Sequence, residues 1–287
     1  MTTRTHPLLF SPIDVGQREP LMADYHRFLH ARNGPRTAPG QFKRREESLR
    51  QMDNTTLRSD EPIDQETFDR LYAGCAETDD WTPTRLLLVA FTRINAAEAY
   101  GVQVVQHVRK FQEDSSDHLQ AVQHILHEEE NYHTRILVGA TKYFGVEAPG
   151  AFQPPRTLKV LIHSLAYSPR MLFHPILLAS EIGGIYMFHW LLKKIPTIIK
   201  QPELRDALEE RLCEVLIDEV GHVAFNRLAV GPLGLKVGRT MAPKIAASMP
   251  NITPELKLLG FQDEVQRLAD FDIKELPHNV LRRAFYV

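Results

Sequence analysis

Two copies of one spacing, Glu130-x-x-His133 and Glu219-x-x-His222, carry most of the chemistry this sequence could perform. On a helix, residues three apart lie about 60° apart around the axis and about 4.5 Å along it, so both side chains can reach one ion. Two further glutamates stand alone in otherwise apolar runs, Glu98 in Asn-Ala-Ala-Glu-Ala-Tyr-Gly and Glu181 in Ala-Ser-Glu-Ile-Gly-Gly. A carboxylate in such surroundings is costly to bury unless positive charge offsets it. Together the six residues supply four carboxylates and two imidazoles. Four negative charges balance two divalent cations, and this donor set suits iron or manganese. Structural zinc prefers thiolates and tetrahedral closure.

The spacing alone is common; the order is not. With 21 glutamates and 13 histidines in 287 residues, about one Glu-x-x-His is expected by chance, and the chain has three. The third, Glu275-Leu-Pro-His278, contains a proline and cannot lie inside a regular helix. The remaining residues run Glu, Glu-x-x-His, Glu, Glu-x-x-His, separated by 32, 51 and 38 residues. Each gap accommodates half a helix, a connection and half of the next helix.

The periodicity provides four long helices to position them. Leu87, Ala90, Phe91, Ile94, Ala97, Gly101, Val104, Val105 and Val108 recur at steps of three and four, predicting a helix over about 84–112. A second spans about 116–144, opened by Ser115-Ser116-Asp117 and closed by Gly145. A third spans 171–194 between Pro169 and Pro196, and a fourth runs from Pro202, a favoured first helical residue, to about 230. The stretch 171–192 is long enough to cross a bilayer. Glu181 at its centre would cost roughly 2.5 kcal/mol or more in lipid, so the segment reads as an internal helix and no transmembrane segment is expected. The fold class expected is all-α, a long four-helix bundle over 84–231. Before it, residues 1–83 read as a loop-and-helix arm, with helices near 21–32, 43–53 and 62–75 and Asp60 or Asp64 as a cap. After it, 232–287 is broken by five prolines and reads as short helices against the outside of the same domain.

Composition removes several classes. A formal charge of −2 and a pI near 6.7 give no electrostatic case for nucleic-acid binding. Two cysteines, Cys75 and Cys213, make no disulfide framework, and the start Met1-Thr-Thr-Arg-Thr-His-Pro7 has no apolar secretory stretch. A cytoplasmic location is expected. No glycine-rich phosphate loop and no Ser/His/Asp signature supports nucleotide or hydrolase chemistry.

The ligand order resembles that of the ferritin-like superfamily of carboxylate-bridged di-iron proteins, over residues 84–230, about half the chain. The resemblance implies a ferritin-like four-helix bundle with added N- and C-terminal helices and two Fe ions, with Mn or a mixed Mn/Fe pair as variants. It assigns Glu98, Glu130 and His133 to one ion and Glu181, Glu219 and His222 to the other, with one or two glutamates bridging. Asp218 matches the family's Asp-Glu-x-x-His form, in which the aspartate orients an opposing histidine through its other ring nitrogen; Glu129 is the analogous residue beside Glu130. The implied activity is that of an O2-dependent oxidase or oxygenase: hydroxylation, N-oxygenation or desaturation of a small organic substrate, with electrons from an external donor. A ferritin-like iron-binding protein without an organic substrate is the alternative. About 80 residues before the bundle and about 55 after it favour a substrate pocket over a storage cage. The length and the position of Glu98 are similar to the para-aminobenzoate N-oxygenase group, although Val215 stands where that group has a further histidine. Helix two also lacks the Arg-His ending usual in acyl-carrier-protein desaturases. Base rates and family habit make a homodimer the expected assembly.

Other readings stand beside these. Glu128, Glu129 and Glu130 fit a solvated acidic face in part, and Asp218, four before His222, could replace Glu219 as ligand. His124 and His127 fit exposed or outer positions, His174 a satisfied core histidine, and Tyr100, Tyr132 and Tyr186 packing residues with bonded hydroxyls. Gly101, Gly183 and Gly184 leave room beside the ligands or let helices approach closely. Pocket residues are expected from 87–91, 102–105, 137–141 and 173–188.

Overall fold

Prolines and short polar caps set the limits of nearly every helix in the computed structural model, which describes residues 9–74, 80–94, 96–110, 117–148 and 155–287. The Met1–Pro7 start, Cys75 and Ser115–Ser116 lie outside the described residues. The elements are α1 (Val15–Asn33), a small antiparallel hairpin of β1 (Arg36–Ala38) and β2 (Gln41–Phe42), α2 (Lys43–Asp53), α3 (Gln65–Ala73), α4 (Pro83–Arg93) and α5 (Ala96–Arg109). There follow α6 (His118–Val138), α7 (Thr141–Phe144), α8 (Arg156–Ala166), α9 (Arg170–Ile198), α10 (Pro202–Ala229) and α11 (Pro232–Ser248). Three short helices close the chain, α12 (Pro254–Leu258), α13 (Phe261–Glu264) and α14 (His278–Arg283), joined by 3₁₀ turns. The all-α class therefore holds, with the hairpin as the one departure among the described residues.

Local chemistry explains the boundaries. Asp64, Thr82 and Asp117 each accept a backbone N–H of the helix they open, the distances being 2.8, 3.3 and 3.0 Å. Of the two cap candidates for the third helix of the arm, Asp64 is the one used. The helix expected over 84–112 is two helices. Near the end of α4 the Thr92 hydroxyl donates back to the carbonyls of Val89 and Leu88, at 2.8 and 3.3 Å, a bond that competes with the helix ladder. Glu98 consequently lies in the first turn of α5, where a carboxylate also suits the helix dipole. The second expected helix ends at Val138, and α7 follows as a separate turn closed by Gly145 at φ 76°. Pro196 does not end α9, because in the last turn its missing N–H removes only one ladder bond.

α10 packs between α6 and α9, α5 lies on α6, and α4 touches both α6 and α9. The arm is not peripheral: α1 lies across α6 and α10, and Tyr25 and Leu29 on it are 1% exposed. Nor is the chain after 232 only short helices. α11 has 17 residues and lies along α9, burying Leu235, Gly238, Ala242 and Ala246. α9 is long and apolar enough to cross a membrane, but 61% of its most apolar stretch is buried within the protein.

Candidate metal centre

The long helices bring four of the expected ligands to one point. One side-chain donor atom each from Glu130 on α6, Glu181 on α9, and Glu219 and His222 on α10 all lie within 4.8 Å of one another. His222 Nδ1 is 2.9 Å from Glu130, 3.8 Å from Glu181 and 3.9 Å from Glu219. His133 completes the inner set from α6, its Nδ1 standing 3.1 Å from Glu130 and 3.2 Å from Glu219. The two imidazoles stack with centroids 5.4 Å apart. Glu98 lies outside the four-residue group. It is half-buried and borders the cavity that Glu130, Glu181 and His222 also border.

The outer face of each imidazole is tied to a carboxylate. His133 Nε2 lies 3.2 Å from Asp218, and His222 Nε2 lies 3.3 Å from Glu129. Both Nδ1 atoms therefore face the glutamate cluster. Asp218 and Glu129 are themselves held by Arg45, at 2.7 and 2.8 Å, while Arg32 adds a 2.6 Å bond to Asp218 and Asn33 a 2.9 Å bond to Glu129. These cations come from α1 and α2. Arg36 engages both oxygens of Glu128, at 2.7 and 2.6 Å. The solvated acidic face expected in part for 128–130 is therefore absent, since all three glutamates are buried and Glu128 and Glu129 pair with the arm.

Charge is distributed unevenly between these layers. Arginines reach the outer carboxylates, whereas among the described residues no lysine or arginine pairs with Glu181 or Glu219. Glu181 Oε2 and Glu219 Oε1 are buried and face only imidazole nitrogens, His222 Nδ1 at 3.8 Å and His133 Nδ1 at 3.2 Å. Burial, and then the Glu130 carboxylate, push Glu219 up to about 8. Burial followed by Glu130, Glu219 and Glu181 holds Glu98 well above the usual range. Burial would also raise Glu130, but His133 and His222 outweigh it and hold it low. Burial would lower both histidines; Glu130 and Asp218 around His133, and Glu129 and Glu130 around His222, hold them well above their ordinary value instead. Crowded carboxylates, two imidazoles with their inner nitrogens turned to them, and carboxylate oxygens paired with no lysine or arginine among the described residues fit a carboxylate–histidine metal site.

The remaining residues fall as follows. Glu275 accepts the Asp272 N–H in a capping box, so the third Glu-x-x-His does not join the cluster. His174 is a satisfied core histidine, 3.2 Å from Asn226. Tyr132 donates to Glu46 and Tyr186 to the Glu264 carbonyl, while Tyr100 lies 3.3 Å from His163. His127, expected exposed or in an outer position, is buried in the cavity wall, whereas His124 is half-buried beside Glu128 at 3.6 Å. A side chain on Gly184 would meet Glu219, and one on Gly183 would press on Met249, so the first leaves room and the second permits close packing. The 87–91 and 137–141 segments expected to line the pocket do not; α8 and α11 do.

Comparison with known protein families, curated proteins and solved structures gives no match to this chain.

Proposed function

We propose that α5, α6, α9 and α10 form a ferritin-like four-helix bundle that holds two iron ions, and that the protein is an O2-dependent di-iron oxidase or oxygenase of a small organic substrate. Glu98, Glu130, His133, Glu181, Glu219 and His222 are the ligands in this reading, and manganese could replace one or both irons. The chemistry supplied when the ions are bound is the reduction and activation of O2. The observation that carries the reading is the paired arrangement of two Glu-x-x-His turns on facing helices, each imidazole backed by a carboxylate. Asp218 and Glu129 fix the tautomers and ring orientations. Electrons come from a separate donor.

A cavity of about 500 Å³ touching Glu98, Glu130, Glu181 and His222 favours an organic substrate over iron storage. The test is metal content per chain after anaerobic loading with ferrous iron, followed by the optical spectrum on admitting O2. Two irons per chain and a transient visible band are expected, and Glu181→Ala is expected to lose the metal with its helix content retained. No bound iron in the parent protein would overturn the reading. Dozens of irons per chain would replace it with storage.

A further inference from the structure

The cavity beside the carboxylates has a composition that selects among ligands. Among the described residues bordering it, the only carboxylates are Glu98, Glu130 and Glu181, and no lysine, arginine or aspartate joins them. The rest of the wall is mainly aliphatic and aromatic, as in Val102 and Val105 of α5, Leu126 of α6, Leu165 of α8, Phe173 of α9 and Ile245 of α11. An anionic ligand would face three glutamates, with His222 and His127 the basic side chains of the described wall. Leu161 and Leu172 border the cavity and are also 64% and 51% exposed, so apolar wall continues to the protein surface. Val160, Tyr167 and Met171 beside them are exposed as well.

Most polar groups in the wall are already satisfied. Asn226 Nδ2 donates to the His222 carbonyl and its Oδ1 faces His174, while Ser168 and Ser248 donate to carbonyls of their own helices. Gln123 differs. It is 3% exposed, its amide N–H donates to His127 Nε2 at 3.1 Å, and its carbonyl oxygen is buried with no hydrogen-bond partner among the described residues. Leaving such a group unmatched is unfavourable, and a ligand that offers it a hydrogen bond gains by that amount. Gln123 stands two turns before Glu130 on α6, about 10 Å along the helix axis from the cluster.

From these features we infer that the substrate is an elongated, uncharged lipophilic molecule with a hydroxyl or N–H group that hydrogen-bonds Gln123 while its apolar chain fills the cavity. This assignment of substrate class rests on reading the carboxylate–histidine cluster as the reaction centre. Gln123 is a positioning residue in it, setting which part of the chain lies beside the glutamates.

The test is binding, by competition with a fluorescent apolar probe, of decanol, its methyl ether and decanoate to the protein as purified. Metal content is measured on the same samples. Decanol is expected to bind roughly three- to tenfold tighter than the ether, the range for one net hydrogen bond. Decanoate is expected to bind weakest. Gln123→Leu should erase the difference between decanol and ether while retaining both as ligands. Gly101→Leu, at a position whose added carbon has room and meets only Ile162 at 4.0 Å, should block all three by filling the cavity. Decanoate binding best, or an unchanged preference in Gln123→Leu, would overturn the proposal. Metal-free protein that still prefers decanol through Gln123 would support this site while removing the di-iron reading, so the two fail separately.

Discussion

His133 on α6 presents its Nε2 to Asp218 on α10 at 3.2 Å, and the relationship is reciprocal: His222 on α10 presents its Nε2 to Glu129 on α6 at 3.3 Å. Each helix thus carries one candidate ligand histidine and the carboxylate that orients the other. A carboxylate on the outer nitrogen holds the ring tautomer and makes the inner nitrogen a stronger donor. Asp218→Asn keeps the shape and removes the charge. It is expected to weaken metal binding roughly 10- to 100-fold with the helix content unchanged. Titration with ferrous or manganous ion measures this, and unaltered affinity would show that Asp218 does not support the site.

Arg45 is the group that makes those two outer carboxylates tolerable. It is 4% exposed and binds Asn33, Glu129 and Asp218 at 2.6, 2.8 and 2.7 Å. Replacing one partner of a buried ion pair leaves the other charge uncompensated, at about 3–5 kcal/mol. Arg45→Met should therefore lower the unfolding free energy by an amount in that range, read as a lower urea midpoint with the slope little changed. A shift below about 1 kcal/mol would mean that Arg32 and the histidines suffice.

The two Glu-x-x-His turns and the lone Glu181 could be read in the sequence because helical spacing fixes which side chains share a face, whereas the expectation for Asp218 and Glu129 comes from the family resemblance. Arg45, Arg32, Asn33 and Arg36 could not. They meet their partners across 84 to 186 residues of chain, and α2, written Lys-Arg-Arg-Glu-Glu-Ser, has the composition of a solvated helix. The one available signal was indirect: Glu128, Glu129 and Asp218, if buried, need cations, and the arm holds several arginines. α8 escaped for a different reason. Its Leu158, Leu161, Ile162 and Leu165 recur at steps of three and four and border the cavity, a helical pattern that was present in the sequence and passed over. The division into α4 and α5 leaves no trace in hydrophobic periodicity.

Without metal, His133 and His222 are held protonated well above their ordinary value, and Glu219 keeps its proton to about 8. Groups whose folded-state values are raised stabilise the fold fully below their unfolded values, about 6.5 for histidine, and lose that contribution as pH rises through the folded values. Metal-free protein should therefore lose thermal stability from about pH 4.5 upward, first as the Glu219 contribution is lost up to about 8 and then, above about 6.5, through the raised histidine values. Metal binding must displace these protons, so affinity should rise over the same window. Calorimetry in buffers of different ionisation enthalpy is expected to show at least two protons released per chain. Zero release would mean that the histidines are already neutral.

Gly221 occupies an intervening position of Glu219-Val220-Gly221-His222, and the reason lies in α1. A Cβ there would overlap the Tyr25 hydroxyl and lie 3.0 and 3.1 Å from its ring carbons. Tyr25 has no space to withdraw, since it is 1% exposed and stacks on Phe285 with centroids 4.7 Å apart. Alanine would favour the helix by roughly 0.5–1 kcal/mol over glycine, but overpacking against a fixed ring costs about 1–3 kcal/mol. Gly221→Ala is thus expected to be destabilising, and because the worst overlap is with the hydroxyl, Tyr25→Phe should recover part of the loss. A double-mutant cycle by urea unfolding measures the coupling. Simple additivity, or a stabilised single variant, would show that α1 can shift away from α10, and with it Arg32, which bonds Asp218 at 2.6 Å.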